Sequence, residues 1–418
     1  MEKVYIVGVG MSPFGRHENE TIKSMTRVAV EAAMKDSGAK QEAIGAAFFG
    51  NVSQSFMEGQ HMVPGQVALR DMGFETTSIT NVENACASSS SALNLAYAHV
   101  RAGLSDIALA VGAEKMTGDK AKGFAVFEGA WDVTTAQETA DGLEYLGRDA
   151  SIPDGKNVPA DQRSLFMDVY ANLAKYHMKT YGTTERHLAA VASKNHQHST
   201  LNPLAQYQMP MSVEEVLDSR LISWPLTLGM CAPISDGAAA AIVCNEDGVR
   251  RLGFVNGSAN RAVEILATVA GGGTNRQAEQ LDQQICRLAS TRAYDMAGIG
   301  PKDISVAEVH DASAFAEVQQ SEHMGFFEYG SGGFMAEKGE TSLGGSMPIN
   351  PSGGLECRGH PIGATGLAQI HELVTQLRGE AGPRQVEDAR FALAENGGGF
   401  YRNEEAVALI TILGRRDV

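Results

Sequence analysis

The order of predicted elements occurs twice along the chain, and this repetition restricts the possible folds more than any single residue does. Each copy contains an amphipathic helix that ends in a glycine, Gly38 or Gly298, at the position of a left-handed C-cap. One strand precedes each helix and another follows it; these strands are predicted at residues 4–9, 44–49, 263–269 and 304–309. This order predicts an α/β protein of two pseudo-repeated halves with mixed sheets, packed as a pseudo-dimer.

Three residues suited to catalysis lie at the ends of elements in this repeat. Cys86 precedes a helix that leads to a strand at residues 107–111, and His360 precedes a helix that leads to a strand at residues 391–394. His310 follows the strand at residues 304–309. Chemistry in such sheets collects at the carboxyl ends of strands and at adjoining helix N-termini. We therefore expect all three residues at such ends.

Length and composition limit the classes of protein to which the chain can belong. At 418 residues it is too long for one simple core, and 43% hydrophobic with 20% charged residues is ordinary for a globular protein. The formal net charge of −16 argues against nucleic acid as a partner. The five cysteines are far apart, which suits free thiols in a reducing cytosol, and no apolar run approaches the roughly 20 residues of a membrane span. We expect a cytoplasmic protein without a signal peptide or a membrane segment.

The repeat divides the chain into three parts. Residues 1–115 and 225–250 form the expected N-terminal half, and residues 251–418 form the C-terminal half. Residues 116–224 interrupt the pattern and include a helix predicted at 162–181. We expect this segment to be a loop or lid that covers the active site. The histidines of this segment are predicted to be solvated, and a metal site from the last two is a weaker alternative; they are His177, His187, His196 and His198. We expect no metal.

Residues 84–93, Asn-Ala-Cys-Ala-Ser-Ser-Ser-Ser-Ala-Leu, place Cys86 in a turn before a helix that runs to about Val100. Unpaired N–H groups and the positive end of the helix dipole favour a thiolate at this position. Small residues around the cysteine let a ligand or another part of the chain approach closely. A buried structural thiol is the usual role of an isolated cysteine, but two histidine segments downstream favour a nucleophile.

Two histidines and a glycine run supply the groups that a nucleophilic cysteine needs. His310 ends an apolar strand, and His360 lies in the glycine-rich run 353–366, just before a helix that continues to about Leu377. Glycines permit close backbone approach, and the helix start offers N–H donors to developing negative charge. Residues 395–399, Glu-Asn-Gly-Gly-Gly, are predicted to form another loop, whose N–H groups could complete an oxyanion hole.

These segments, in this order and spacing, resemble those of the thiolase superfamily, most of all its sterol-carrier-protein-type and bacterial acetyl-CoA acetyltransferase-like branch. Residues 84–89 resemble the nucleophile motif, residues 310–311 the histidine-containing form of the second motif, and residues 353–366 the Gly-His-Pro motif. Residues 223–240 resemble the closing segment of the first half. The resemblance implies a five-layered αβαβα fold, usually dimeric, that binds coenzyme A (CoA) thioesters. It implies CoA as a co-substrate and no tightly bound cofactor.

The resemblance also implies roles for individual residues. Cys86 would be the acylated nucleophile and His360 the base that activates it. His310, with His360 and a bound water, would hold a thioester oxyanion. The backbone N–H groups of Cys86 and of a glycine in the 397–399 run would form a second oxyanion hole, with Gly397 and Gly398 as the candidates.

One residue of the family's mechanism is missing from the sequence. Thiolases bring a second cysteine that exchanges the α-proton of the acyl group, either in the last glycine run or directly after the second motif. Here the first position offers Glu395 or Asn396, depending on a one-residue choice of alignment, and Ala312 occupies the second. Glu395 is the best acid on offer because burial would raise its pKa; Cys357 is the second candidate and a water held by Asn396 the third.

Three further residues are candidates for substrate binding. His61 lies in a loop that is near the substrate in the family, although a packing role is equally open. Cys357 lies three residues before His360, and a buried structural thiol is the competing interpretation. Ser313 follows the second motif by two residues.

The leading functional hypothesis is a 3-oxoacyl-CoA thiolase that cleaves a carbon–carbon bond through a Cys86-linked acyl enzyme and transfers the acyl group to CoA. The missing cysteine disfavours a plain acetoacetyl-CoA enzyme and suggests a branched, aromatic or otherwise bulky acyl chain. The alternatives are a retro-aldolase or C-acyltransferase on the same fold, a decarboxylating ketoacyl synthase and a noncatalytic scaffold subunit. We expect a homodimer core, with a zinc-ribbon/OB-fold protein as an optional partner, as is common in this branch.

Overall fold

The computed structural model of the chain describes residues 2–159, 163, 165–254 and 261–416. Its strands are β1 Val4–Met11, β2 Ala46–Gly50, β3 Ser78–Val82, β4 Ile107–Glu114, β5 Leu221–Ser223, β6 Leu226–Thr227, β7 Gly237–Asn245, β8 Val263–Gly272, β9 Val306–Glu308, β10 Phe391–Tyr401 and β11 Glu404–Arg415. Its α-helices are α1 Ile22–Ser37, α2 Gln54–Glu58, α3 Pro64–Leu69, α4 Ser88–Arg101, α5 Lys120–Ala125, α6 Ala136–Gly147, α7 Leu165–Tyr181, α8 Glu185–Ser199, α9 Val213–Asp218, α10 Glu246–Arg251, α11 Ile285–Ala297, α12 Ala314–His323, α13 Gly332–Glu337, α14 Gly354–Arg358 and α15 Thr365–Leu377. Gln162, which begins one predicted helix, and residues 255–260 and 417–418 of the predicted C-terminal half lie outside the described residues.

The main sheet has the strand order β3-β2-β4-β7-β1-β8-β11-β10-β9 and joins the two halves. The first five strands come from the N-terminal half and the last four from the C-terminal half, and β1 meets β8 in an antiparallel contact at Tyr5–Glu264 and Ile6–Val263. Within the halves, β2 runs parallel to β3 and β4, and β9 runs parallel to β10, whereas the other neighbours are antiparallel. The prediction of mixed sheets in an α/β fold is confirmed.

Three helical layers enclose the two halves of this sheet. Helix α1 packs on the outer face of the N-terminal strands, and α11 packs on the outer face of the C-terminal strands. Between them, α4 and α15 share one core with the inner faces of both sets of strands, through Leu93 and Leu373 among others. The sequence of layers is therefore helix, sheet, helix, sheet, helix, which is the predicted five-layered αβαβα arrangement.

The run 395–399, predicted as a loop, instead belongs to strand β10. Pairing of β10 with β11 continues from Phe391 to Tyr401, with Gly399 as the position that has no partner in the register. The glycines are present because neighbouring groups occupy the space of a side chain. A Cβ at Gly397 would lie 2.6 Å from Glu405 Cγ, and one at Gly398 would lie 2.2 Å from the carbonyl oxygen of Asn84.

The segment between the halves contains α5 to α9 and packs against α12 of the C-terminal half. The prediction that its four histidines are solvated is wrong, because all four are buried. His177 Nε2 lies 3.0 Å from Glu322 Oε2. His198 uses both ring nitrogens in contacts to the backbone of Asn350 and Leu343, so neither nitrogen is available to a metal.

Among the described residues, no helix combines the length and the apolar character needed to span a bilayer.

We predict that Gly10→Ala destabilises the protein by about 1–3 kcal/mol, the usual effect of inserting an atom into a packed interface. A Cβ at Gly10 would lie 2.3 Å from the carbonyl oxygen of Ala29 and 2.5 Å from the nitrogen of Ala33, so α1 would have to move off β1. Urea denaturation followed by circular dichroism measures the effect. Gly272→Ala is the matched control, because a Cβ there meets no atom within 4 Å. Equal midpoints for the two variants would contradict this account of the β1–α1 contact.

Candidate active site

Cys86 lies in a tight turn between β3 and α4. The preceding residue, Ala85, has a left-handed backbone with φ of 47°, a conformation that costs a non-glycine residue about 1–3 kcal/mol. The Ser88 hydroxyl holds the turn: it donates to the carbonyl oxygen of Ala85 at 2.7 Å and accepts from the N–H of Asn84 at 2.9 Å. The turn directs Cys86 into the interior, where it is 5% exposed and packs with Met116 and Ile362.

The surroundings of Cys86 favour the protonated thiol. Burial, and after it the negative charge of Glu114, raises the pKa of the thiol to about 12, although the N–H groups of Cys86 itself and of Gly399 oppose the shift. The prediction that the helix start favours a thiolate is therefore wrong. Helix α4 begins two residues later, at Ser88, and desolvation outweighs the contribution of the N–H donors. A base must remove the proton before the sulfur can react.

His360 is held with one ring nitrogen engaged and the other available. Nδ1 lies 2.7 Å from the hydroxyl oxygen of Thr365, and that hydroxyl donates to the carbonyl oxygen of Pro361 at 3.1 Å. The Thr365 oxygen therefore accepts from Nδ1–H, which leaves the lone pair on Nε2. Nε2 is buried and has no hydrogen-bond partner among the described residues. Burial, together with His310, lowers the pKa of His360 well below its usual value, so the ring is a neutral base.

His310 is fixed at both its ring and its backbone. Nδ1 lies 2.9 Å from Oδ1 of Asn396, and the Asn396 Nδ2 group donates to the Ser90 hydroxyl oxygen at 3.0 Å. The backbone N–H of His310 donates to Oε2 of Glu395 at 2.8 Å. Burial lowers the pKa of His310 to about 4. At neutral pH His310 is also an uncharged imidazole, with Nδ1–H directed to Asn396.

The structure brings Cys86, His310 and His360 together. The cysteine sulfur and one ring nitrogen of each histidine all lie within 4.8 Å of one another, and all three residues are buried. The two rings are nearly perpendicular, with centroids 5.2 Å apart and an interplanar angle of 89°. A thiol beside two neutral imidazoles can be deprotonated in place and can attack an electrophilic carbon. The arrangement suits covalent acyl transfer.

The strand geometry of β10 separates the two candidates for the missing acid. Consecutive strand residues point to opposite faces, and Asn396 reaches the ring of His310 whereas Glu395 does not. The Glu395 carboxylate accepts from the backbone N–H of His310 and lies 3.7 Å from the sulfur of Cys286, behind the strand. Burial and the charge of Glu405 raise the pKa of Glu395 to about 8, as expected. Its predicted position facing the reacting carbon is wrong.

The N–H donors near the sulfur also differ from those predicted. The two backbone N–H groups that lower the pKa of the Cys86 thiol belong to Cys86 and Gly399. Gly399 has φ of 60°. Gly397 and Gly398, which were predicted to complete an oxyanion hole, are paired in the regular β10–β11 register and serve close packing instead.

The three candidate substrate-binding residues lie elsewhere. Ser313 is fully buried and caps α12 by accepting from the N–H of Ala316. Cys357 is fully buried in α14, where burial and the charge of Glu356 raise its pKa well above the usual value. His61 is exposed in the connection between α2 and α3. None of the three belongs to the group formed by Cys86 and the two histidines.

Sequence reasoning missed the residues that hold the site in place. Thr365 fixes the ring of His360 directly. Ser90 fixes the ring of His310 through the side-chain amide of Asn396. Ser235 accepts from the backbone N–H of His360 at 2.9 Å. Glu114 accepts from backbone N–H groups of the 51–53 turn and of Gly363, which ties the His360 loop to the N-terminal half. All four lie within or beside the quoted segments, but small polar residues there carry no signal of their partner.

Two family models match two separate parts of the chain. Residues 4–219 match the model described as thiolase, N-terminal domain. Residues 270–414 match the model described as thiolase C-terminal domain-like. Together the two matches include Cys86, His310 and His360.

The curated relatives include enzymes of acyl-CoA chemistry. The chain is 36% identical to the acetyl-CoA acetyltransferase of Methanothermobacter thermautotrophicus, over 96% of this chain and 97% of that protein. It is 33% identical to the benzoylsuccinyl-CoA thiolase subunit BbsB of Thauera aromatica, over 96% of each. It is 34% identical to sterol carrier protein 2 of Rattus norvegicus, over 95% of this chain and 70% of that protein.

Solved structures share the fold over nearly the whole chain. An Ltp2-ChsH2(DUF35) aldolase has a TM-score of 0.74 at 22% identity, covering 99% of this chain and 98% of that one. The human mitochondrial 3-ketoacyl-CoA thiolase has a TM-score of 0.68 at 16% identity, covering 99% of each chain.

We predict that Thr365→Val slows acylation of Cys86 by about 10-fold or more. When His360 accepts the thiol proton, its bond to Thr365 becomes charge-assisted, and losing such a bond has an effect of this size. Thr365→Ser retains the hydroxyl and is the matched control. Rapid mixing with an acyl-CoA followed by mass spectrometry of the protein gives the rate. If valine and serine variants are acylated equally fast, Thr365 does not set the tautomer of His360.

Proposed function

This chain belongs to the thiolase family, and on that premise we propose that it cleaves a 3-oxoacyl-CoA and transfers the shortened acyl group to CoA. The matches to the two thiolase family models and to the curated relatives confirm the family resemblance found in the sequence. The observation that carries the proposal is the convergence of Cys86, His310 and His360 within 4.8 Å in a buried site. A thiol, a lone-pair nitrogen and a second neutral imidazole are the groups that acyl transfer through a thioester requires.

The reaction divides into two steps at Cys86. Nε2 of His360 removes the thiol proton, and the sulfur attacks the 3-oxo carbon of the substrate. The bond between C2 and C3 breaks, its electron pair passes to C2 of the departing acyl-CoA, C2 takes up the proton that left the thiol, and an acyl group remains on Cys86. CoA then attacks this thioester, and its thiol proton returns to the Cys86 sulfur through His360. The N–H groups of Cys86 and Gly399 stabilise the oxyanion at C3, while His310 and His360, with a water, hold the thioester oxygen.

We propose a bulky acyl chain, branched or aromatic. The support is a group of aromatic side chains beside the cysteine: Phe127 packs against the cluster that contains Cys86 and against Phe166 at 4.8 Å. Phe166 in turn contacts Tyr170 and Phe400 at 5.8 Å and 5.5 Å. A group of aromatic side chains beside the cysteine suits an apolar or aromatic acyl chain better than an acetyl group. The relative that acts on benzoylsuccinyl-CoA is consistent with this choice.

The assembly and setting of the enzyme are further proposals. Strand β3 is at the end of the sheet order and is largely exposed, and an unpaired edge supports a homodimer formed by pairing with a second copy. One structural neighbour is named as a pair, Ltp2-ChsH2(DUF35), which supports a partner protein, and we propose one of the zinc-ribbon/OB-fold type. We also propose the division into halves at 1–115 with 225–250 and 251–418, a lid at 116–224, CoA as co-substrate without a tight cofactor, and a cytoplasmic location.

A panel of acyl-CoA thioesters tests the proposed function. We expect intact-protein and peptide mass spectrometry to find one acyl group on Cys86, largest in yield for bulky chains, and we expect added CoA to remove it. Cys86→Ala should carry no acyl group, and His360→Ala should lose at least about 10²-fold in turnover while it still folds. Acylation that persists in Cys86→Ala would show that the nucleophile is another residue.

A retro-aldolase is the second candidate, because the described residues around Cys86 and the two histidines include no second cysteine. The two reactions differ in their need for CoA. A thiolase consumes one CoA for each bond that it breaks, whereas an aldolase releases a carbonyl compound and an acyl-CoA without consuming CoA. Cleavage that proceeds at full rate without CoA, with no acyl group on Cys86, would favour the aldolase.

A further inference from the structure

We infer that His310 is the second acid–base residue of the reaction and replaces the cysteine that other thiolases use to exchange the proton at C2. This inference rests on the proposed thiolase function. It assigns His310 a proton-transfer role in addition to holding an oxyanion. The argument starts from the groups that are able to reach C2.

The side chains near the cysteine leave few candidates for this proton transfer. Asn396 occupies the site-facing position of β10, and an amide is neither an acid nor a base near neutral pH. Glu395 lies behind the strand with Cys286. Ala312 has no acidic group, and Cys357 is buried in α14 beside Glu356. Among the described residues, the histidine, cysteine and carboxylate groups that converge here are Cys86, His310 and His360.

The contacts of His310 prepare it for proton transfer at Nε2. Ser90 fixes the Asn396 amide, and the amide oxygen faces Nδ1. Nδ1 therefore carries the proton in the neutral ring, and the lone pair is on Nε2. With the Glu395 contact to its backbone N–H, His310 is restrained from two sides of β10. His310 and His360 therefore carry the proton in succession between C2 and the Cys86 sulfur.

The proton balance closes with these groups alone. In the synthetic direction, Nε2 of His310 removes a proton from C2 of an acyl-CoA. The C2 carbanion attacks the carbonyl carbon of the Cys86 thioester; the carbon–carbon bond forms, the carbon–sulfur bond breaks, and the electron pair goes to sulfur. The proton returns to that sulfur through His360, whose ring nitrogen lies within the same 4.8 Å group. Cleavage is the reverse, and the thiol proton of Cys86 ends on C2.

His310→Asn separates the proton-transfer role from the oxyanion role. Asparagine can still hydrogen-bond to the water that contacts the thioester oxygen, but it cannot accept the proton from C2. The probe is an acyl-CoA that acylates wild-type Cys86 in the panel above, incubated with the enzyme in D₂O. Mass spectrometry gives the rate of deuterium exchange at C2 and, in parallel, the rate of Cys86 acylation.

We expect His310→Asn to lower C2 exchange by about 10²-fold or more, a larger loss than the same variant shows in Cys86 acylation. The double variant His310→Asn/Asn396→Cys places a thiol at the site-facing position of β10 and should recover part of the exchange. Exchange at the wild-type rate in His310→Asn would overturn the inference. Failure of wild-type Cys86 to become acylated would instead count against the proposed function.

Ser90→Ala gives a second measurement that leaves both histidines in place. It removes the anchor of the Asn396 amide, and loss of one neutral hydrogen bond should lower C2 exchange about fivefold. Acylation of Cys86 should fall less than C2 exchange, because neither Ser90 nor Asn396 contacts His360. An equal loss in both rates would indicate a general packing defect and would contradict the positioning role.

Discussion

The active site depends on three close approaches between the halves that only residues without side chains permit. A Cβ at Gly366 would lie 1.9 Å from the Ser90 hydroxyl oxygen, and one at Gly398 would lie 2.2 Å from the carbonyl oxygen of Asn84. A Cβ at Gly112 would lie 2.3 Å from the carbonyl oxygen of Gly363. Each contact joins a residue of the N-terminal strands and helices to one of the C-terminal half. A side chain at any of these glycines would force the two packed elements apart and disturb the convergence of the cysteine and the histidines.

Close approach of the halves also buries charged groups behind His310, and the segment between the halves compensates them. Asp311 accepts from the N–H of Leu355 and from the side chain of Asn195 on α8. Lys194, also on α8, forms a buried ion pair with Glu317. Burial and the charge of Glu317 raise the pKa of Asp311 well above its usual value. Removing one partner of such a buried pair is strongly destabilising. Helix α8 therefore stabilises the buried acidic residues behind His310.

The sequence predicted the features that follow from topology. Repeated strand–helix–strand order implied the layered fold, and the rule that chemistry collects at strand ends brought Cys86, His310 and His360 together. It did not predict the orientation of residues 395–399, because a glycine run indicates a loop, whereas pairing with β11 makes it a strand. It did not predict the protonated thiol either, since burial of Cys86 depends on Met116 and Ile362, which are distant in the sequence.

The alternation of side chains along β10 has a consequence for the charge of the whole site. Asn396 faces the cluster and is neutral, while Glu395, one residue away, faces the opposite side. A shift of one residue would place a carboxyl group beside Cys86 and would oppose formation of its thiolate. With Asn396 in position, burial keeps the thiol protonated and the two imidazoles uncharged. The cysteine and the two histidines therefore carry no charge before the substrate enters. Charge develops only when the proton leaves Cys86, at the point where the imidazoles and the N–H groups of Cys86 and Gly399 can stabilise it.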